Sequence, residues 1–184
     1  MYFDMDKRGI QVEELPPNEM LSAISEGRLQ GGLVPLVDTF DLEEGLRTVS
    51  GFCIAIVSQA VSVKFHSKTP IEELSGASIA VPEDAPTSVK LLQILLSVKH
   101  GVKPGAYVTP DEHHDAKLMV GNLGLRHRRG LRGFEHTYDL GEEWNRWTNL
   151  PFVLARWVLR TDLERQDALI IEDSLYTSLQ DRAD

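Results

Sequence analysis

The sequence predicts an α/β protein of two lobes, with mixed, mainly parallel sheets covered by helices. Three observations lead there. Candidate strands and helices alternate through most of the chain, an order that lays strands under crossover helices. Two long apolar strands, over 49–65 and 152–159, bracket the middle of the chain. No long or low-complexity linker separates the blocks. The economical arrangement is a first lobe from 1–67 with 152–184 and a second from 68–151, the two long strands crossing between them.

The elements follow in order. Ile10 to Leu15 alternates weakly and reads as a strand, broken by Pro16-Pro17. Asn18 can cap a helix carrying Met20, Leu21 and Ile24, with Gly27 as its stop. Gly32 to Val37 is a short buried strand, and Asp41 with Glu44 makes a capping box. Val49 to Phe65 is rich in β-branched residues and reads as one or two strands. Ile71 to Leu74 is a helical turn and Ser78 to Val81 a strand. Thr87 to His100 is the clearest helix: Val89, Leu92 and Leu96 form one stripe and Leu91, Leu95 and Val98 another, so it packs on a sheet. Ala106 to Thr109, Ala116 to Val120 and Phe134 to Tyr138 are short strands. Asp139 and Glu142 cap a helix with Trp144 and Trp147 on one face; Asn149 takes a left-handed C-terminal conformation and Pro151 ends it. Phe152 to Leu159 is an apolar strand interrupted by Arg156. Thr161 and Glu164 cap a last helix with Leu163, Ile170, Leu175 and Leu179 as core positions.

Composition narrows the function. Of 184 residues, 42% are hydrophobic and 26% charged, values that suit a folded globular chain. The net charge of -9 argues against nucleic-acid binding, because phosphates reward basic surfaces. Cys53 is the only cysteine, which rules out an internal disulfide and a Cys-rich zinc site. Its apolar strand suggests a buried structural thiol. Met1 to Asp6 carries no basic region followed by an apolar run, and no apolar stretch is long enough for a membrane span, so the chain reads as cytoplasmic.

An anionic ligand on an acidic protein needs a local device. Thr87-Ser88 offers one: the loop from Pro82 to Pro86 leads into the strongest helix, whose free N–H groups and two hydroxyls suit a carboxylate or phosphate. The plain alternative is that Thr87 or Ser88 caps the helix. Ser62, Lys64 and His66 alternate on one face of a strand, either aimed at a ligand or facing solvent. Asp111-Glu112-His113-His114-Asp115 looks metal-like, but no spacing matches a helical ligand pair, and a solvated loop is the simpler reading. Arg126-His127-Arg128-Arg129 with Arg132 reads as an exposed helix end. Arg156 is either paired within its strand region or faces a cleft, and Trp144 and Trp147 read as core.

One tract is more specific. Tyr138-Asp139-Leu140-Gly141-Glu142-Glu143-Trp144, followed by Trp147-Thr148-Asn149-Leu150-Pro151-Phe152-Val153, resembles the chorismate dehydratases of menaquinone biosynthesis by the futalosine route. Gly27 to Pro35, Ser62-Val63, Ser67 to Leu74 and Thr87-Ser88 agree in order. The resemblance implies a type II periplasmic-binding-protein fold used in the cytoplasm as a hydro-lyase. Such an enzyme removes water from chorismate to give 3-[(1-carboxyvinyl)oxy]benzoate, with no organic cofactor and no metal. It implies that Ser62, Thr87 and Ser88 hold substrate carboxylates, and it sets Asn122 at a substrate-binding position. It names no catalytic residue.

The sequence also departs from that family. Where the family has Pro-Ser and Gly-Asp, this chain has Pro35-Leu36 and Gly121-Asn122. The family's opening strand, with its Tyr-Leu-Asn segment, and its last first-lobe helices have no counterpart within 1–184. The chain is therefore expected to be truncated at both ends, to dehydrate chorismate weakly or not at all if complete, and to offer a sheet edge for a second copy. A noncatalytic small-carboxylate-binding protein of the same fold, and a chain that needs a second subunit, are the alternatives.

Overall fold

The computed structural model describes residues 8–40, 42 and 44–180. The chain divides into two compact units, one of 1–34, 38–53 and 156–184 and the other of 35–37 and 54–155. Residues 54–67, expected in the first lobe, thus fall in the second unit. The reason is hydrogen bonding: the strand over 63–67 sits between two strands of that unit's sheet.

The first unit holds a three-stranded sheet. Its strands are β1 (Gly31–Pro35), β2 (Leu46–Ile56) and β8 (Phe152–Arg160), in the order β1-β8-β2. Two of the four crossings between the units, 53/54 and 155/156, fall inside the long strands β2 and β8. Helix α1 (Pro17–Ser25) has Pro16, not Asn18, at its cap position, because Pro17 already has the φ that a first helical turn needs. It ends before Gly27, at φ 78. Ile24 packs with Val34 and Val158, and Leu175 of α5 (Arg165–Gln180) packs with Val49, Phe52 and Leu159. Leu179, expected in the core, is exposed. Ile10 to Leu15 forms no strand: its alternation has no neighbouring strand to pair with. The capping box at Asp41 lies outside the described residues. Arg156 donates to the Thr48 hydroxyl at 3.2 Å, so it is paired on β2. Cys53 is exposed, contrary to expectation, because β2 is an outer strand of its sheet.

The second unit is a five-stranded sheet in the order β5-β4-β6-β3-β7. Its strands are β3 (Val63–Ser67), β4 (Ser78–Ala80), β5 (Ala106–Val108), β6 (Ala116–Val120) and β7 (His136–Asp139). β4 is parallel to β5 and β6, while β3 is antiparallel to β6 and β7. β3 alone therefore runs against the other four.

Val63 and Phe65 of β3, Ile79 of β4 and Leu118 of β6 form one core with Leu91, Leu92, Leu95 and Leu96. Those leucines lie on α2 (Pro86–Ile94) and on the wider helical turn Leu95–Lys99 that continues it. Burying each leucine is worth about 1.5–3 kcal/mol. Helix α4 (Leu140–Thr148) is capped by Asp139 and ends on Asn149 at φ 57, as its sequence predicts. Trp144 stacks edge-on against Phe152 at 5.1 Å, whereas Trp147 is 41% exposed and is not core. Lys99 holds Glu143 at 2.6 Å and ties α4 to the end of the α2 segment.

The second face of β3 is also covered. His66 is fully buried, with Nδ1 3.0 Å from the Thr137 hydroxyl and no partner for Nε2 among the described residues. Lys64 is mostly buried too, so the solvent-facing reading of the Ser62, Lys64, His66 alternation is corrected: β3 is an inner strand with both faces occupied.

Burial, with His127 and Lys64 adding positive charge nearby, lowers the His66 pKa from 6.5 to about 4. The unfolded chain then binds the extra proton more readily than the folded one between those values, so stability falls as pH drops from 6.5 toward 4. The full loss is on the order of 3 kcal/mol. Urea denaturation at stepped pH is expected to show that slope, and His66→Gln is expected to flatten it.

Candidate functional site

Strand direction decides where chemistry collects. Because β4, β6 and β7 run one way and β3 the other, their carboxyl ends share one end of the sheet with the start of β3. The chain enters α2 after β4 and enters α4 directly after β7. After β6 it enters the short α3 (Asn122–Arg126). Open α/β sheets bind ligands outside the carboxyl ends of their strands. Ser62, immediately before β3, lies at this same end. So do Thr87 and Ser88, at the start of α2, and Asn122, at the start of α3. All four sequence-derived site residues are thus brought to one end of one sheet.

The Ser62 turn is held from below by Asp139. The Asp139 side chain is only 3% exposed. It accepts from Ala60 N–H (2.8 Å), Val61 N–H (2.8 Å), Glu142 N–H (3.0 Å) and the Lys64 ammonium (2.8 Å). Burial alone pushes this carboxyl up, but the Lys64 ammonium and the N–H groups of Ala60, Glu142 and Val61 outweigh it. The net pKa lies below the ordinary 3.8. Val61 sits at φ 56, and Ser62 N–H donates back to Ala60 O, which closes a γ-turn. The Ser62 hydroxyl donates to Ala60 O at 3.2 Å, a bond long enough to yield to a better acceptor.

At α2, Ala85 is the N-cap and no side chain caps the helix. Thr87 and Ser88 therefore do not act as caps. They occupy the first turn after Pro86, where backbone N–H groups have no partner within the helix. Both are buried. The Thr87 hydroxyl accepts from Val37 N–H at 3.4 Å, which draws the 35–37 segment to the helix start. Asn122 is exposed, and Gly121 before it has φ 64.

Two glycines let the helices close on the turn. A Cβ on Gly124 of α3 would lie 2.1 Å from Ser62 O, and one on Gly141 of α4 would lie 2.7 Å from Ala60 N. Neither position tolerates a side chain without moving backbone.

The other candidates lie elsewhere. Asp115 accepts from Ser78 N–H at 3.1 Å and from Lys68 at 3.2 Å; the Ser78 bond is the larger cause of its lowered pKa. Glu112 closes its own turn on Thr109. Among the described residues no group of three His, Cys, Asp or Glu side chains is placed to hold a metal ion. Arg126, Arg128, Arg129 and Arg132 are exposed. No helix among the described residues is long and apolar enough to cross a membrane.

A model of the family described as menaquinone biosynthesis matches residues 1–183. The chain belongs to that family. A relative is the chorismate dehydratase of Thermus thermophilus, 24% identical over an alignment 182 positions long that covers 88% of this chain. The chain spans 66% of that relative's length. Among solved structures, a protein from Archaeoglobus fulgidus aligns with a TM-score of 0.61 at 20% identity, over 94% of this chain and 72% of that one. The substrate-binding protein of an amino acid ABC transporter aligns at 0.54 and 10% identity, over 97% and 78%. The GluR0 ligand-binding core in complex with L-glutamate aligns at 0.50 and 11%, over 95% and 80%. These likenesses show the fold, mixed α/β and periplasmic-binding-protein-like.

In this member of the menaquinone-biosynthesis family, the tract that carries the sequence resemblance is also the one that builds the turn. Tyr138 receives Ile71 N–H on its hydroxyl at 3.0 Å, Asp139 anchors residues 60, 61 and 64, and Gly141 makes room for Ala60. The sequence identifies Asp139 only as a helix cap, since its partners Ala60 and Val61 lie 79 and 78 positions away. Gly141, two residues after the N-cap in a helix that has no need of a glycine, is the signal for close approach. Gly124→Ala is expected to destabilise the protein by about 1–3 kcal/mol through overpacking on Ser62 O. Chemical denaturation measures it, and an unchanged midpoint would mean α3 can shift freely.

Proposed function

We propose that this chain is a chorismate dehydratase-like lyase, converting chorismate to 3-[(1-carboxyvinyl)oxy]benzoate for menaquinone biosynthesis in the cytoplasm. The observation that carries the reading is the convergence of Ser62, Asn122 and the first turn of α2 at one end of a five-stranded sheet. Membership of the menaquinone-biosynthesis family and the similarity to a chorismate dehydratase support it.

The chemistry is an elimination. A ring C–H bond and the C–O bond to the ring hydroxyl break, water leaves, and the ring becomes aromatic. Aromaticity supplies the driving force, so the protein's work is orientation. In this reading the Thr87 and Ser88 N–H groups and hydroxyls hold one substrate carboxylate at the positive end of α2. Ser62 and Asn122 take the polar groups that face them from β3 and α3. No catalytic base is assigned, and no metal or organic cofactor enters the scheme.

A second reading is a noncatalytic small-carboxylate-binding protein of the same fold. One observation favours it: Leu36 and Asn122 stand where the resembling enzymes carry a hydroxyl and a carboxylate. The two readings separate in a single experiment. The purified chain is incubated with chorismate, binding is followed by calorimetry and the aromatic product by chromatography. Product supports the lyase, and binding without product supports the second reading. Neither binding nor product overturns both.

Thr87→Ala with Ser88→Val is expected to weaken chorismate binding by about 1–3 kcal/mol per lost charge-assisted bond. Calorimetry on the double variant checks it, and unchanged affinity would remove the α2 start from the site.

A further inference from the structure

Helix capping accounts for one of the four bonds made by Asp139, the one from Glu142 N–H. The other three go to the Ala60 and Val61 amides and the Lys64 ammonium, none of which belongs to the helix. Val61 meanwhile holds φ 56, a conformation disfavoured for a β-branched residue. The residue is 42% exposed, so burial does not compensate for that strain. What holds the turn is backbone: the consecutive N–H groups of Ala60 and Val61 donate to the two oxygens of one carboxylate, and Ser62 N–H closes on Ala60 O.

We infer that Asp139 is the positioning residue of the Ser62 site, acting through the Ala60–Ser62 turn, with Lys64 as its buried counter-ion. The inference rests on the reading of this end of the sheet as the ligand site. All three turn amides are spent inside the protein, two on Asp139 and one on Ala60 O. The turn therefore presents its ligand a hydroxyl and not an N–H pocket. The direction of that hydroxyl follows from the φ of Val61, and hence from Asp139. The Lys64 ammonium, held at 2.8 Å by Asp139, is neutralised and acts as part of the anchor, not as a free charge for a carboxylate.

Two variants separate positioning from capping. Asp139→Ser keeps a helix cap of comparable strength while losing the reach to residues 60, 61 and 64. Asp139→Asn keeps the Oδ1 acceptor and loses the charge and the second acceptor. Chorismate affinity is measured by calorimetry well below each variant's melting temperature, and amide hydrogen exchange is read along the chain. The expected result for Asp139→Ser is affinity weaker by about tenfold or more, with faster exchange confined to Ala60, Val61 and Ser62. Asp139→Asn is expected to lie between it and the starting protein, and it carries the test alone if Asp139→Ser does not fold. Unchanged affinity, or exchange that rises evenly through α4 and β7, overturns the inference. If the unaltered chain itself does not bind chorismate, the functional reading falls separately. Exchange at 60–62 then decides the positioning role: faster exchange there upholds it, and unchanged exchange overturns it.

Discussion

A carboxylate taken out of water either gives up its charge or collects donors. Asp139 collects them, and its placement makes that possible. It is the last residue of β7 and the cap of α4, so the free N–H of a helix turn reaches it from one side. It stands opposite Lys64 in the β3 ladder, so an ammonium reaches it from another. The amides of Ala60 and Val61 take what remains. Four donors suit an acceptor with two oxygens. Removing either member of the Lys64–Asp139 pair strands the other in a poorly hydrated place, where an unpaired charge costs more than the pair ever gained. One side chain thus fixes the end of one strand, the start of another, the start of a helix and the loop before Ser62.

The sheet around that anchor explains why the candidate residues meet. A strand that runs with its neighbours sends the chain into a helix at the common end, and β4, β6 and β7 each do so. β3 runs the other way, so it begins where they finish. Ser62 and the helix starts can share one end only because β3 is the reversed strand. Had β3 been parallel, Ser62 would stand at the far end of the sheet from Thr87 and Asn122.

Local chemistry was the most legible part of the fold. The leucine stripes of α2, the Asp139 cap and the left-handed Asn149 all mark their elements, because each depends on neighbours within a turn or two. What depends on distant partners was less legible. Lys64 and His66 alternate with Val63 and Phe65 as on a half-exposed strand, yet β3 lies between two others and its second face is covered. Period-2 alternation does not report whether the polar face is wet. Ile10 to Leu15 shows the same limit from the other side: the alternation is present, but a strand exists only with a partner. Cys53 was misread because an apolar strand at the outside of a sheet leaves residues exposed that an inner strand would bury. At the candidate site the hydroxyls could be found from sequence, whereas the clamp on their backbone could not, since Gly124 and Gly141 have meaning only against Ser62 and Ala60.

The kind of donor at this end bears on what it can hold. The whole chain carries -9, and Glu83 and Asp84 lie just before α2. The net charge of the chain offers an anion no long-range attraction, which acts over about 8–10 Å at ordinary ionic strength. Lys64 adds little, because Asp139 already neutralises it. The candidate donors themselves are short-range and neutral: hydroxyls, an amide side chain and the N–H groups of a helix start, whose field fades beyond its first turn. Such donors discriminate by geometry more than by charge. A rigid dicarboxylate whose groups match their spacing satisfies several at once, while a flexible one of equal charge must first be ordered. On the proposed reading of this end as the ligand site, selectivity depends on how firmly the turn at Ser62 and the start of α2 are held.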